Sequence, residues 1–111
     1  MDDFAALSEL TDQLNADIEQ LRAAGVQLAK NEAAYRKELR VAILKERAGG
    51  TPVTIVGDVC RGMPSIADLK LARDSSEAIY KAAQEAVNVH KLQARIIENQ
   101  IAREWSQAGR M

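Results

Sequence analysis

The sequence predicts an all-α protein, a long antiparallel helical hairpin with a short connector helix. The first observation is a heptad of apolar residues, which is typical of one long helix: Leu7, Leu14, Leu21, Leu28 and Tyr35. The second is another long segment with helical periodicity, residues 66–107. Between the two lies a short stretch with four of the six glycines and both prolines, which favour turns.

The composition predicts a single helical domain, 1–111. Hydrophobic residues make up 47% of the chain but aromatic residues only 4%, and 28% of the residues are charged, which is typical of long helices. A net charge of −1 argues against both a dedicated DNA-binding protein and an acidic DNA mimic. Cys60 is the only cysteine, and we identify no signal peptide, membrane span or zinc-ligand spacing. We therefore expect a cytoplasmic protein without a metal or other cofactor.

The first long helix is predicted over residues 3–47. Acidic residues at its start favour the positive end of the helix dipole, and a glycine pair ends it. Gly25 lies on the apolar stripe, where it permits either a close approach of another helix or a slight bend. Asn31 and Glu32 interrupt the stripe, so they either form a polar part of the helix interface or face solvent.

The connector, residues 48–64, contains a predicted short helix over 52–61. Thr51 suits the N-cap, Pro52 the first helical position and Gly62 the C′ position. The β-branched run that follows the proline also supports a short strand, and this alternative stays open at the level of the sequence.

The second long helix is predicted over residues 66–107, with Ser65 as its N-cap and Pro64 just outside. A helical period predicts its inward face. That face comprises Leu69, Ala72, Ser76, Ile79, Ala83, Val87, His90, Ala94, Ile97, Ile101 and Trp105.

Further apolar residues of this helix, including Leu92 and Ile96, lie off the inward face and need another chain to cover them. A homodimer that forms a four-helix bundle or coiled coil is the simplest arrangement, and a different protein partner is the alternative. The predicted oligomer interface comprises Leu7, Leu14, Leu21, Leu28, Tyr35, Leu92, Ile96, Ile97, Ile101 and Trp105.

Three residues are candidates for a chemical role: His90, Cys60 and Arg73. His90 lies among small apolar residues, which favour a packing role over metal binding, and Cys60 without a nearby histidine is expected to pack as a small apolar residue. Arg73 falls on the apolar period, so its burial requires a carboxylate partner. An ion pair is preferred over a binding site, and the candidate partners are Asp74, Glu77 and Glu46. We therefore expect no catalytic residues and no enzymatic activity.

Basic residues concentrate toward the connector end, where residues 36–73 carry eight basic and four acidic side chains. The possible contacts to a partner or to nucleic acid are Arg36, Lys37, Arg40, Arg47, Arg61 and Lys70. No aromatic residues that could stack on bases are interleaved with them, so a solvated helix face is the preferred interpretation. A nucleic-acid accessory that uses this basic end is the alternative.

Two regions of the chain share a pattern of helix-favouring residues. The first is Ala33-Ala34-Tyr35-Arg36-Lys37-Glu38-Leu39 leading to Gly50-Thr51-Pro52-Val53. The second is Ala78-Ile79-Tyr80-Lys81-Ala82-Ala83 leading to Ile96-Ile97-Glu98-Asn99-Gln100-Ile101-Ala102-Arg103-Glu104-Trp105. Together they resemble small uncharacterised helical proteins encoded by phages and prophages. The resemblance implies a phage protein in the cytoplasm of a bacterial host. It also implies a non-enzymatic role, as an inhibitor of a host defence complex or a scaffold that acts by steric occlusion, or as a replication or recombination accessory.

Overall fold

The computed structural model describes residues 2–109, and the chain is all-α as predicted. It forms three helices, α1 (Asp3–Ala48), α2 (Val53–Arg61) and α3 (Pro64–Gly109). No strand occurs within residues 2–109, so the connector adopts the helical alternative. Every helix end lies within two residues of the predicted position.

Capping interactions explain the ends of α1. At its start, the Asp2 carboxylate accepts a hydrogen bond from the backbone N–H of Phe4 at 2.9 Å. At its end, the N–H of Gly50 donates to the carbonyl of Arg47, and the N–H of Thr51 donates to the carbonyl of Glu46. This pair of bonds is a Schellman motif, and it requires the positive φ of 98° that Gly50 adopts.

The caps of α2 each lie one position away from the prediction. Pro52 is the N-cap, and its carbonyl accepts the N–H of Val56 at 3.0 Å. The prediction of Thr51 as N-cap was wrong because its hydroxyl donates to the Glu46 carboxylate at 2.8 Å. Gly62 was predicted at C′, but it is the C-cap, with a right-handed backbone of φ −81°, and its N–H donates to the carbonyl of Asp58.

The α3 helix starts at Pro64 and not after it. Ser65 therefore lies within the first turn, and its prediction as N-cap was wrong. The carbonyl of Met63 accepts the N–H of Ala67 at 2.8 Å, as expected of an N-cap residue. Proline suits the first helical position because its φ is already helical and it has no N–H that needs an acceptor.

The described residues divide into two compact units. The terminal unit comprises 2–23 with 81–109, and the central unit comprises 24–80. In the terminal unit, Asp17 of α1 contacts His90 of α3, and Asp3 interacts with Glu104. The contact nearer the start of α1 thus involves the residue further along α3, so the two helices pair in antiparallel fashion, as predicted.

The central unit contains the second half of α1, the whole of α2 and the start of α3. Its helices also pair in antiparallel fashion, because Gly25 lies beside Tyr80 whereas Asn31, further along α1, bonds to Ser76. Three apolar side chains of this unit are buried: Val56, Cys60 and Ile66.

The inward face of α3 differs from the prediction at three positions. Ala72, Ile79 and Trp105 were predicted to face inward, but all three are exposed. Arg73 and Tyr80 occupy the inward positions in the central unit. Carboxylates surround the Arg73 guanidinium, and the missing side chain of Gly25 leaves room for the Tyr80 ring. The predicted face, which was based on apolarity, instead placed their preceding neighbours Ala72 and Ile79 inside.

Candidate interaction surface

Exposed apolar residues follow one side of α3 in the terminal unit. Val89, Leu92 and Ile96 are 49%, 56% and 54% exposed. Their spacing of three and four residues puts them on one face of the helix. Val87 and His90 of the same stretch point toward α1, so this face is turned away from the helix pair. We call Val89, Leu92 and Ile96 the outer face of α3.

The residues predicted at the oligomer interface fall into two groups. Seven of them are partly buried within the single chain: Leu7, Leu14, Leu21, Leu28, Tyr35, Ile97 and Ile101. The remaining three are exposed: Leu92, Ile96 and Trp105. A single chain therefore already covers much of the heptad stripe, and the three exposed residues remain available to another molecule.

A polar contact interrupts the helix interface of the central unit at Asn31. Its side-chain N–H₂ group donates to the Ser76 hydroxyl at 2.5 Å and to the Ala72 carbonyl at 3.3 Å. Its side-chain oxygen accepts a hydrogen bond from Gln27 at 2.9 Å. Ser76 is buried, and its hydroxyl also donates to the Ala72 carbonyl. Of the two sequence alternatives, the polar helix interface is the one that forms.

Arg73 is the centre of a charge cluster in the central unit. Its guanidinium pairs with Glu32, with Asp74 at 2.7 Å and with Glu77 at 3.4 Å. Glu32 also accepts a hydrogen bond from Arg36 at 2.6 Å. Hydrogen bonds from Arg73 and Arg36 lower the pKa of Glu32, and those to Glu32 and Asp74 raise the pKa of Arg73. Arg73 therefore has the carboxylate partners that its burial was predicted to require.

The main partner of Arg73 was missed at the sequence level. Asp74 and Glu77 were predicted as partners and do pair with Arg73. The predicted partner on α1 was Glu46, but the α1 residue that pairs with Arg73 is Glu32. The signal was available, because Glu32 interrupts the apolar stripe of α1 where Arg73 interrupts that of α3. Matching these two interruptions in an antiparallel register would have paired them.

His90 faces α1 in the terminal unit and pairs with Asp17 through its Nδ1 atom. Both side chains are largely withdrawn from solvent. The preferred role in packing at the helix interface agrees with this position, but the carboxylate partner was not predicted. A polar pair among apolar contacts helps fix the register of two helices.

A second acidic contact lies near the free ends of the helices. Glu104 interacts with Asp3 at the start of α1, and the negative charge of Asp3 raises the pKa of Glu104. A negative charge nearby favours the neutral, protonated form of the Glu104 carboxyl. Both residues line the same surface depression as Phe4 and Ile97.

Cys60 is the most completely buried side chain in the described part of the chain. Burial raises the pKa of its thiol, and the nearby negative charge of Glu46 acts in the same direction. A thiol in this state is a poor nucleophile. Its position agrees with the expected packing role.

Four of the six basic residues considered for nucleic acid have acceptors within the chain. Arg36 pairs with Glu32, Arg61 with Asp58 at 3.3 Å and Lys70 with Asp74 at 3.0 Å. Arg47 donates to the carbonyl of Thr51 at 3.0 Å. Within residues 2–109, Lys37 and Arg40 form no ion pair.

Residues 2–109 contain neither a cluster of metal ligands nor a membrane-spanning helix. Within 2–109, histidine, cysteine and carboxylate side chains form no group of three that could hold a metal ion. None of the three helices, over the same residues, is long and apolar enough to cross a membrane. Comparison of the chain with protein families, curated proteins and solved structures gives no match.

Proposed function

We propose that this chain is a non-enzymatic protein–protein interaction protein that forms a homodimer through the outer face of α3. The exposure of Val89, Leu92 and Ile96 carries the proposal, because apolar side chains clustered on one helix face favour contact with another protein. Closed two-fold association is the commonest oligomeric arrangement of soluble proteins. Two copies joined in this way would form a four-helix bundle or dimeric coiled coil.

We further propose that the protein is phage-encoded and acts in the cytoplasm of a bacterial host. In this proposal it inhibits a host defence complex, or serves as a scaffold, by steric occlusion. The resemblance to phage and prophage proteins supports the setting. The amount of exposed helix surface supports occlusion, because such surface can cover a partner without any chemical step.

A DNA replication or recombination accessory is the second candidate. Lys37 and Arg40 favour it, since neither is neutralised by an ion pair in the described part of the chain. The internal acceptors of Arg36, Arg61 and Lys70 weaken it, because they reduce the charge available to phosphates. A labelled DNA duplex tests the two candidates: binding that falls steeply with salt supports the accessory, and no binding at low salt contradicts it.

Paired variants test the proposed dimer. Leu92→Glu introduces a charge into the apolar outer face, whereas Gln93→Glu adds the same charge at the neighbouring exposed position. A buried unpaired carboxylate is costly, so we expect Leu92→Glu to raise the dimer dissociation constant by about 100-fold or more. Gln93→Glu should leave the dissociation constant within about twofold of the wild-type value. Equal behaviour of both variants in sedimentation velocity contradicts the proposed interface.

A plating assay tests the proposed inhibition of host defence. A phage that a defence system restricts is plated on cells that express the wild-type chain or the Leu92→Glu variant. The wild-type chain should raise the plating efficiency, and the variant should not if the dimer is the active form. No effect of the wild-type chain on any restricted phage would contradict the inhibitor role.

A further inference from the structure

A shallow groove on α1 in the central unit combines an apolar floor with basic edges. Its lining residues are Arg36, Leu39, Arg40, Ile43 and Leu44. Leu44 is 58% exposed, while Leu39 and Ile43 are partly buried and contribute only their outer sides. None of the five lining residues is acidic. The groove therefore pairs apolar contact with a positive potential.

The basic residues of this groove are available to a ligand. Arg40 forms no ion pair within residues 2–109. Arg36 shares its partner, because Glu32 also accepts a hydrogen bond from the more buried Arg73. The Arg36–Glu32 pair is exposed, and exposed pairs contribute little to stability. Arg36 can therefore exchange Glu32 for a carboxylate of a ligand at little cost in free energy, and Glu32 would keep Arg73 as its counterion.

We propose that this groove binds an acidic amphipathic helix of another protein. The lining residues span two helical turns, from Arg36 to Leu44, or about 12 Å at the usual rise per residue. A partner helix with apolar residues at positions i, i+3 or i+4, and i+7 matches this length. Its acidic residues would reach the arginines on the groove edge.

The character of the floor favours a helix over nucleic acid. Leu39, Ile43 and Leu44 offer no aromatic ring on which a base could stack. A phosphate backbone would leave Leu44 uncovered, whereas the apolar side of a helix would cover it. The groove therefore fits a partner that brings apolar and acidic groups together.

A second copy of this chain is a poorer occupant. The acidic part of the chain is its first third, residues 1–35, which carries seven acidic and two basic residues. Leu7, Leu10 and Leu14 of that segment are already partly buried in the terminal unit. The segment could offer its apolar side to the groove only if the terminal unit opened.

This inference rests on the proposed function in that both require protein binding, but it concerns a different surface. The probe is a synthetic fluorescent peptide with leucines along one helical face and glutamates elsewhere. One control peptide has the same composition in scrambled order, and another has lysines in place of the glutamates. A short DNA duplex is the nucleic-acid control. Binding to the full-length chain is measured by fluorescence anisotropy at low and moderate salt.

Matched substitutions locate the bound peptide. Leu44→Gln and Arg40→Gln should each weaken binding of the acidic amphipathic peptide by about tenfold, the effect of losing one principal contact. Leu71→Gln removes another exposed leucine of the central unit, and Arg22→Gln removes an exposed arginine of α1 outside it. Both controls should change the dissociation constant by less than about twofold. All four positions are exposed, so none of the substitutions should disturb the fold.

The results separate this inference from the proposed dimer. Leu92→Glu should leave peptide binding unchanged even where it dissociates the dimer. Absence of saturable binding up to about 100 μM protein would overturn the inference, because weaker binding does not indicate a specific site. Equal binding of the scrambled peptide, the lysine peptide or the duplex would also overturn it, and so would equal losses in Leu71→Gln.

Discussion

Truncation of two isoleucines of α3 tests how this helix faces its partners in the central unit. Ile66 is 3% exposed, and Ile79 is 62% exposed. The apolar period of the sequence places Ile79 inside, whereas the structure places Tyr80 there. Ile66→Ala and Ile79→Ala remove the same atoms from the same helix, so the difference between them reports mainly on burial.

The expected effect of Ile66→Ala follows from its burial. The substitution removes Cγ1, Cγ2 and Cδ1, each of which contributes about 0.8 kcal/mol when fully withdrawn from water. Incomplete collapse of the surrounding residues adds to this cost, and buried isoleucine-to-alanine changes fall at about 2–5 kcal/mol. Because Ile66 lies in the first turn of α3, where neighbours can relax, we expect about 2–3 kcal/mol.

Ile79→Ala should have almost no net effect. More than half of the Ile79 side chain is already in water, so truncation loses little burial. Alanine also has a higher helix propensity than isoleucine by a few tenths of a kcal/mol. The two effects offset each other, and we expect a change within about 0.5 kcal/mol.

Urea unfolding followed by far-ultraviolet circular dichroism measures both free energies of unfolding. A loss in Ile79→Ala equal to or larger than that in Ile66→Ala would refute the observed face of α3. It would instead support the inward face read from apolarity alone. Similar small losses in both variants would refute the assignment of Ile66 to the core.

Three further predictions follow from single positions. Gly50→Ala should lower the free energy of unfolding by about 1–2 kcal/mol, because Gly50 has a φ of 98° that alanine rarely adopts. Gly49→Ala should lower it less in the same urea titration, because Gly49 has no positive φ and an added Cβ would make only ordinary contacts. Asp3 raises the pKa of Glu104, so the folded chain binds a proton there more tightly than the unfolded chain. The contact is therefore least unfavourable at acidic pH and becomes destabilising as the pH rises through the raised pKa. Glu104→Gln should stabilise the protein in urea unfolding at neutral pH but not below pH of about 4. Burial raises the pKa of the Cys60 thiol, so a thiol-alkylating reagent at neutral pH should modify the native chain much more slowly than the urea-unfolded chain, and equal rates would contradict its burial.

The sequence was sufficient to predict the helices and their antiparallel pairing. The heptad from Leu7 to Tyr35 and the glycine-rich connector carry this information in short-range patterns. The connector helix was also preferred correctly, and α1 ends at the predicted glycine pair, where Gly50 has a left-handed backbone. Such features depend on residues close together in the chain, which a pattern can detect.

The contacts across the helix interface were harder to predict. The pairs Glu32–Arg73 and Asp17–His90 join residues far apart in the sequence, and each depends on the register of two helices. Tyr80 lies inside because Gly25, on the facing helix, leaves room for its ring. A period that ranks residues by apolarity cannot anticipate such complementary pairs, so it selected the neighbouring Ile79.

The proposed interaction site was predictable only in part. Leu92 and Ile96 were recognised because their spacing departs from the inward face of α3. Trp105 was predicted on the inward face of α3 as well as at an oligomer interface; its exposure contradicts the first position, and the second stays a prediction. The groove near Leu44 was not predicted, because its floor uses the outer sides of residues that also pack inward.

The most direct test of the proposed dimer detects contacts between copies at atomic resolution. A sample is prepared from equal amounts of isotope-labelled and unlabelled chain, and an isotope-filtered nuclear Overhauser spectrum records only contacts between copies. We expect intermolecular signals from the methyl groups of Val89, Leu92 and Ile96, and none from those of Leu39 or Ile43. A spectrum without intermolecular signals at these three residues, at a concentration where the chain runs at twice its 12.2 kDa mass, would contradict the proposed interface, as would a chain that stays monomeric at every concentration.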